Sequence, residues 1–258
     1  MIAGTGTHGI FYSSDYGSSW SKLSTQKCSQ LASDSALTKL ACVGGVVNPN
    51  SMPPPASYIM ISEDGGETWS KATDLDEGEW IGVIADEDFE TVVASLYTGV
   101  PYFYMSSDGA SSFVSSNYSE EFIVGEWGSL AGDKDLNHIA LTDVYTRNVH
   151  LSKDTGNTFF KIYNGADYIL GPSVNITSAV VSRDGSAFAL GFTAHPLSTV
   201  FNCAFECSDA WVEQTSAVST SKSSDFSTTG LAISETGKYL FSTDANTQQI
   251  CVGVLSDD

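Results

Sequence analysis

Basic residues are scarce in this chain: 11 Lys and Arg stand against 31 Asp and Glu, a formal net charge of −20 over 258 residues. A surface of that sign cannot track a phosphate backbone, which argues against nucleic acid as a partner. Only two of the basic residues are arginines, Arg147 and Arg183. A clamp of three guanidiniums on a carboxylate is therefore out of reach. Long apolar runs are also missing; none approaches the roughly 20 residues that span a bilayer, so no membrane insertion is expected. The opening MIAGTGTHGIFYSSD lacks the basic start and apolar stretch of a signal peptide, so secretion would require a targeting segment outside this sequence.

Close-set metal patterns are absent too. Cys28, Cys42, Cys203, Cys207 and Cys251 form no C-x-x-C, and His8, His138, His150 and His195 stand singly. No G-x-S-x-G or H-E-x-x-H occurs, and Gly237-Lys238 leads into a hairpin residue, Tyr239, rather than a phosphate loop. Five cysteines allow two disulfides and a free thiol, or none, with the pairing open. Asn117 and Asn175 begin acceptor sequons that matter only in a secretory pathway. Charged residues make up only 16% of the chain while Ser, Thr and Gly abound, the balance of strands and turns rather than helices.

What is present is repetition. SSDYGSSW at 13–20, SEDGGETW at 62–69, SSDGASSF at 106–113 and SKDTGNTF at 152–159 align without gaps. Each follows an alternating apolar strand, GIFYS, YIMIS, YFYMS or NVHLS. CSDAW at 207–211 and SDD at 256–258 continue the series, so that the aspartates Asp15, Asp64, Asp108, Asp154, Asp209 and Asp258 are 49, 44, 46, 55 and 49 residues apart. That period suits one four-stranded blade. Between these boxes lie hairpins such as LASDSALTKLACVGG and VIADEDFETVVASLY, each reading as strand, acidic turn, strand. The order is then strand A, turn, strand B, loop, strand C, box, strand D.

The octapeptides and their spacing resemble the Asp-box, or BNR-repeat, family of β-propellers, with its motif S-x-D-x-G-x-T-W/F. The resemblance covers nearly the whole chain and implies an all-β, antiparallel propeller of six four-stranded blades, at about 1–25, 26–74, 75–118, 119–165, 166–217 and 218–258. An incomplete segment of a seven-bladed propeller is the alternative. The pattern gives 22 strands rather than 24, so either the ring closes with two incomplete blades or the chain is part of something longer. In each box a carboxylate folds back onto unpaired backbone N–H groups, and glycine supplies a position with φ > 0. Asp15, Gly17, Trp20, Asp64, Gly66, Trp69, Asp108, Phe113, Asp154, Gly156 and Phe159 are accordingly expected to be structural. Ala110 in place of glycine, and Phe113 and Phe159 in place of Trp, predict two looser turns.

In such propellers ligands bind the face made by the D–A and B–C loops, opposite the boxes. Glu79, Trp80, Tyr97, Tyr102, Glu126, Trp127, Tyr145 and Arg147 fall there, with His195 beside them, and their aromatic and acidic groups suit a glycan. The competing reading packs Trp80 and Trp127 between blades and leaves the glutamates in water. A sialidase mechanism fails on the two arginines. A xyloglucanase-like pair of carboxylates, Glu79 with Glu126, lacks a second propeller to complete its cleft. The photosystem II assembly factors share the resemblance but carry an arginine patch. Asp74, Asp76, Glu77 and Glu79, and separately Asp133, Asp135 and Asn137, set oxygens at alternate positions without the spacing of an EF-hand. Solvated acidic turns are expected there, with calcium the weaker reading and no other cofactor or metal. The expectation is a non-enzymatic extracellular binding or scaffold propeller for a glycan or protein partner, with a glycoside hydrolase or its inactive descendant as the alternative.

Overall fold

The computed structural model describes residues 1–44, 56–97, 103–115, 127–143, 148–164, 176–192, 201–204, 212–213, 228–244 and 250–254. All regular structure among them is β. The first sheet joins β1 (Ile2–Thr5), β2 (Gly9–Tyr12) and β3 (Ser21–Ser24). The second runs β4 (Cys28–Ser33), β5 (Leu40–Gly44), β6 (Tyr58–Ser62), β7 (Ser70–Lys71), and the third β8 (Trp80–Ala85), β9 (Val92–Leu96), β10 (Phe103–Ser106), β11 (Val114–Ser115). The fourth comprises β12 (Trp127–Gly132), β13 (Ile139–Asp143), β14 (Asn148–Ser152) and β15 (Phe160–Asn164). The fifth follows with β16 (Ile176–Val181), β17 (Ala187–Phe192), β18 (Phe201–Ala204) and β19 (Val212–Glu213), and the sixth holds β20 (Thr228–Ile233), β21 (Tyr239–Asp244) and β22 (Ile250–Val254). Every pairing is antiparallel between consecutive strands, so each sheet is a simple meander. Contacts divide the chain into two compact units, Met1–Ile123 with the first three sheets and Val124–Asp258 with the others.

Burial changes from one side of each sheet to the other. The second strands of the second, third and fourth sheets, LACVG, VVASL and IALTD, are buried almost throughout, as expected for strands covered on both faces. By contrast the fourth strands β7 and β11 are two exposed residues each. Short edge strands leave little template for pairing with another chain. Within the first unit, Ala41, Val43, Ile59 and Ile61 of the second sheet pack with Val83, Val92, Ala94 and Phe113 of the third. Ile10, Cys28 and Cys42 join the first sheet to the second. Fully burying one such aliphatic or aromatic side chain contributes about 1.5–3 kcal/mol.

The cysteine pairing left open by the sequence is decided here: Cys28 and Cys42, on neighbouring strands with Cα atoms 5.6 Å apart, form a disulfide. Both are wholly buried. A second feature that hydrophobic alternation does not announce is a bulge at the start of the first strand in every sheet but the first. The register shifts between Cys28 and Gln30, Trp80 and Gly82, Trp127 and Ser129, Ile176 and Ser178, and Thr228 and Gly230. A bulge adds local twist and frees one residue from the ladder. In two sheets the residue after it reaches the next sheet: Val83 N–H donates to Gln30 Oε1 at 2.9 Å, and Ala179 N–H to Ser129 Oγ at 3.1 Å.

Candidate functional site

The boxes form the most regular constellation. In the first, Asp15 Oδ1 accepts from Ser13 Oγ and from Ser19 N–H, both at 2.8 Å, and Asp15 Oδ2 accepts from Ser19 Oγ at 2.6 Å. Asp64, Asp108 and Asp154 repeat the pattern with Thr68, Ser112 and Thr158. Hydroxyl and amide donation to the ionised form hold Asp15, Asp64 and Asp108 down to about 2. Asp154 is also lowered; burial opposes the shift, but the bonds from Thr158 and Ser152 outweigh it. These carboxylates are ionised acceptors with their lone pairs committed to the turn.

The hub of each box is its opening serine. Ser13, Ser62, Ser106 and Ser152 are buried to within 2% exposure. Each hydroxyl donates to the aspartate and accepts the N–H four residues on, from Gly17, Gly66, Ala110 or Gly156, at 2.8–2.9 Å. The left-handed backbone covers two successive residues, Gly65 and Gly66 in the second box and Gly109 and Ala110 in the third. Ala110 takes φ 67°, and the serine and aspartate bonds of its box stay within 0.1 Å of those in the other three. The third turn is therefore not looser, because the serine hub fixes its backbone whether or not a Cβ is present.

The A–B turns lie at the same end of each sheet and clamp onto the boxes. Gly65 N–H donates to Thr38 O at 2.8 Å, Gly109 N–H to Glu90 O at 3.0 Å and Thr155 N–H to Asn137 O at 3.3 Å. Successive turns are tied as well, Ser35 N–H to Glu87 O at 2.9 Å, Lys134 N–H to Arg183 O at 3.1 Å and Asp184 N–H to Glu235 O at 3.1 Å. Two acidic residues here, Asp34 and Asp133, are built in, whereas Asp135 is exposed as a solvated turn residue. Asp133 is 6% exposed and bonds His138 Nδ1 at 2.7 Å, while Asp34 accepts Thr38 N–H at 2.7 Å. Gly185 packs so closely on that pair that an added Cβ would meet His138 Nδ1 at 2.4 Å and Asp133 Oδ2 at 2.5 Å. Among the described residues no group of three or more His, Cys, Asp or Glu side chains is placed to hold a metal ion.

At the opposite end, the loop 72–79 is the longest D–A connection described. Its backbone bridges to Ser57, with Ser57 N–H to Gly78 O at 2.7 Å and Gly78 N–H to Ser57 O at 3.0 Å. Leu75 is buried, Tyr58 OH donates to Glu77, and Phe113 N–H donates to Asp74 Oδ2 at 3.3 Å. Trp80 closes the loop by donating its indole N–H to Asp76 O at 3.1 Å. Its ring is 3% exposed and meets Tyr104 edge to face at 5.4 Å, and Tyr97 is 4% exposed. Neither ring presents an open face, which is the packing alternative for Trp80. Glu79 is half-buried, and its carbonyl accepts Tyr97 N–H at 2.7 Å. Trp127 opens its strand before the same bulge as Trp80, so the two are equivalent in backbone position. Tyr102, Glu126, Tyr145, Arg147, His195, Asn117 and Asn175 lie outside the described residues.

Beside this loop is a group the sequence reading passed over. Lys71 stacks its ammonium 3.2 Å from the centre of the Tyr58 ring, and with Glu63 and Trp69 it lines a cavity between the second and third sheets. A signal was there to be found: Lys22, Lys71 and Lys161 each stand two residues after a box aromatic in a chain poor in lysine.

Antiparallel meanders of three or four strands repeated along the chain, each pinned by its turns, define an all-β protein of the β-propeller class. Solved structures bear this out. The chain is similar to a GH74 enzyme from Niastella koreensis, with a TM-score of 0.67 and 15% identity over 95% of this chain and 39% of that one. Similarity to the GH74 xyloglucanase from Xanthomonas campestris has the same TM-score, with 11% identity over 97% of this chain and 41% of the other. The chain thus spans about two fifths of the length of those two proteins. YCF48 bound to D1 peptide is similar at a TM-score of 0.64 and 13% identity, over 97% of this chain and 73% of that one. No protein-family profile and no curated protein sequence matches the chain.

Proposed function

We propose that the chain is a non-enzymatic binding or scaffold propeller that recognises a glycan or protein partner through its D–A and B–C loops. One observation carries this reading, the contrast in connection length. The A–B turns, 34–39, 86–91, 133–138, 182–186 and 234–238, keep to five or six residues, and the boxes vary as little. The D–A connections range from 25–27 to 214–227, and the B–C connections from 6–8 to 45–57. Constant turns serve the fold, whereas variable loops on a fixed scaffold are where recognition resides. The buried Cys28–Cys42 disulfide supports an oxidising, extracellular setting.

The similarity to two GH74 proteins, one named a xyloglucanase, favours a second reading as a glycoside hydrolase or its inactive descendant, with Glu79 and Glu126 as its carboxylates. The similarity to a protein bound to a peptide favours the protein arm of the first. Glycan and peptide arrays run in parallel with a hydrolysis assay on the purified chain decide between them. Binding without turnover is expected. Turnover abolished by Glu79→Gln or Glu126→Gln would overturn the binding reading.

A further inference from the structure

We propose that the cavity between the second and third sheets, lined by the second box and by the first two residues of the D–A loop 72–79, is a subsite for a single neutral pyranose ring. It is a half-open groove of about 290 Å³, at the low end for small-ligand pockets and suited to one ring rather than a multi-ring ligand. Its floor is apolar, from Ile61, Ala72 and Ala110, all buried in the core between the two sheets. Trp69 forms an aromatic wall that is already fixed: its indole N–H donates to Gly66 O at 2.9 Å, and the ring also packs against the Cys28–Cys42 cluster. A wall held in place before binding spares the ligand the cost of ordering it. Ser and Thr hydroxyls contribute to the lining alongside one carboxylate, Glu63, and one ammonium, Lys71, which the Tyr58 ring steadies.

That combination selects by chemistry. Axial C–H groups of a pyranose stack on an indole, while its hydroxyls both donate to a carboxylate and accept from an ammonium. A polyanion is disfavoured by Glu63 and by the −20 charge of the chain. A purely apolar ligand would make no use of Glu63 and Lys71. The site shares the ligand class of the glycan arm proposed above, but its selecting groups, Glu63, Trp69 and Lys71, lie in the second box and the edge strand rather than in the D–A and B–C loops.

Ligand-observed saturation-transfer NMR on the purified chain with methyl glycosides of glucose, galactose, mannose, xylose and N-acetylglucosamine tests it. At least one glycoside is expected to give a saturable signal that Ser111→Trp, which fills the cavity, abolishes. Glu63→Ala and Lys71→Ala, both exposed positions, should each weaken that signal about tenfold with the circular dichroism spectrum unchanged, which keeps the test open should Ser111→Trp fail to fold. Absence of saturable binding, binding unchanged in the three variants, or saturable binding of dipeptides in place of glycosides would overturn the subsite. Empty arrays with an intact methyl glycoside titration would instead sink the loop-face reading alone.

Discussion

Two acidic segments of eight residues flank the edge strand Ser70–Lys71: the box Ser62–Trp69 before it and the loop Ala72–Glu79 after it. Both contain a turn and both contain three acidic side chains or more, yet they are held in opposite ways. In the box every side-chain bond closes within four residues, from Ser62 to Asp64 and Gly66, from Thr68 to Asp64 and from Trp69 to Gly66. In the loop the bonds reach 19 residues back from Glu77 to Tyr58 and 39 forward from Asp74 to Phe113. The box carries its own closure, while the loop borrows its shape from the core beneath it.

The sharpest way to break this contrast is at Trp80. Replacing Trp80 with Ala removes the core anchor of the loop and should cost about 3–5 kcal/mol in a urea titration, with new proteolytic cleavage in 72–79. Cleavage confined elsewhere would show that the loop does not depend on the core. Next in size is Ser62→Ala, which leaves Gly66 N–H buried without its acceptor. About 1–3 kcal/mol of lost stability is expected, with the loop still protected.

Acid sharpens the comparison further. The folded-state values of Asp15, Asp64 and Asp108, about 2 against 3.8, mean that their stabilisation is complete above pH 3.8 and is lost as pH falls toward 2. Buried His150 is pushed down to about 4, mainly by desolvation, with Asp143 opposing and Lys161 assisting. Its contribution is present above pH 6.5 and is lost as pH falls through that range to about 4. Melting temperature against pH should therefore fall in two windows. Asp64→Asn should flatten the lower one and His150→Gln the upper, and an unchanged profile in either variant would refute the corresponding assignment. The smallest effect belongs to Glu77→Gln, which loosens only an exposed bond to Tyr58 and should shift stability by no more than about 0.5 kcal/mol.

The same contrast explains how far the sequence could be read. Alternating strands such as YIMIS, the repeated boxes and the A–B hairpins are local patterns, and they yielded an all-β antiparallel fold of repeated four-stranded sheets. The serine hub is equally local, but because Ser is common throughout the chain the box hydroxyls read only as sources of local hydrogen bonds, not as the centre of the turn. Its invariance across the four aligned octapeptides was the available signal. The burial of Trp80 and Tyr97 was not legible, because Gly-Glu-Trp reads the same whether the indole meets a sugar or Tyr104. Nor was the partner of Cys28, since four other cysteines were equally eligible until strand register brought Cys42 beside it.

By itself, then, the sequence determined whatever closes within a few residues: strands, their order, and turns in which an aspartate meets the amide four positions on. Tertiary structure decided the disulfide, the commitment of Trp80 to the core, the burial of Asp133 against His138, and the cavity that gathers Glu63, Trp69 and Lys71. The physical reason is reach. A hydrogen bond inside a turn is specified by spacing along the chain, whereas packing between sheets depends on residues tens of positions apart whose meeting is fixed only when the strands are paired.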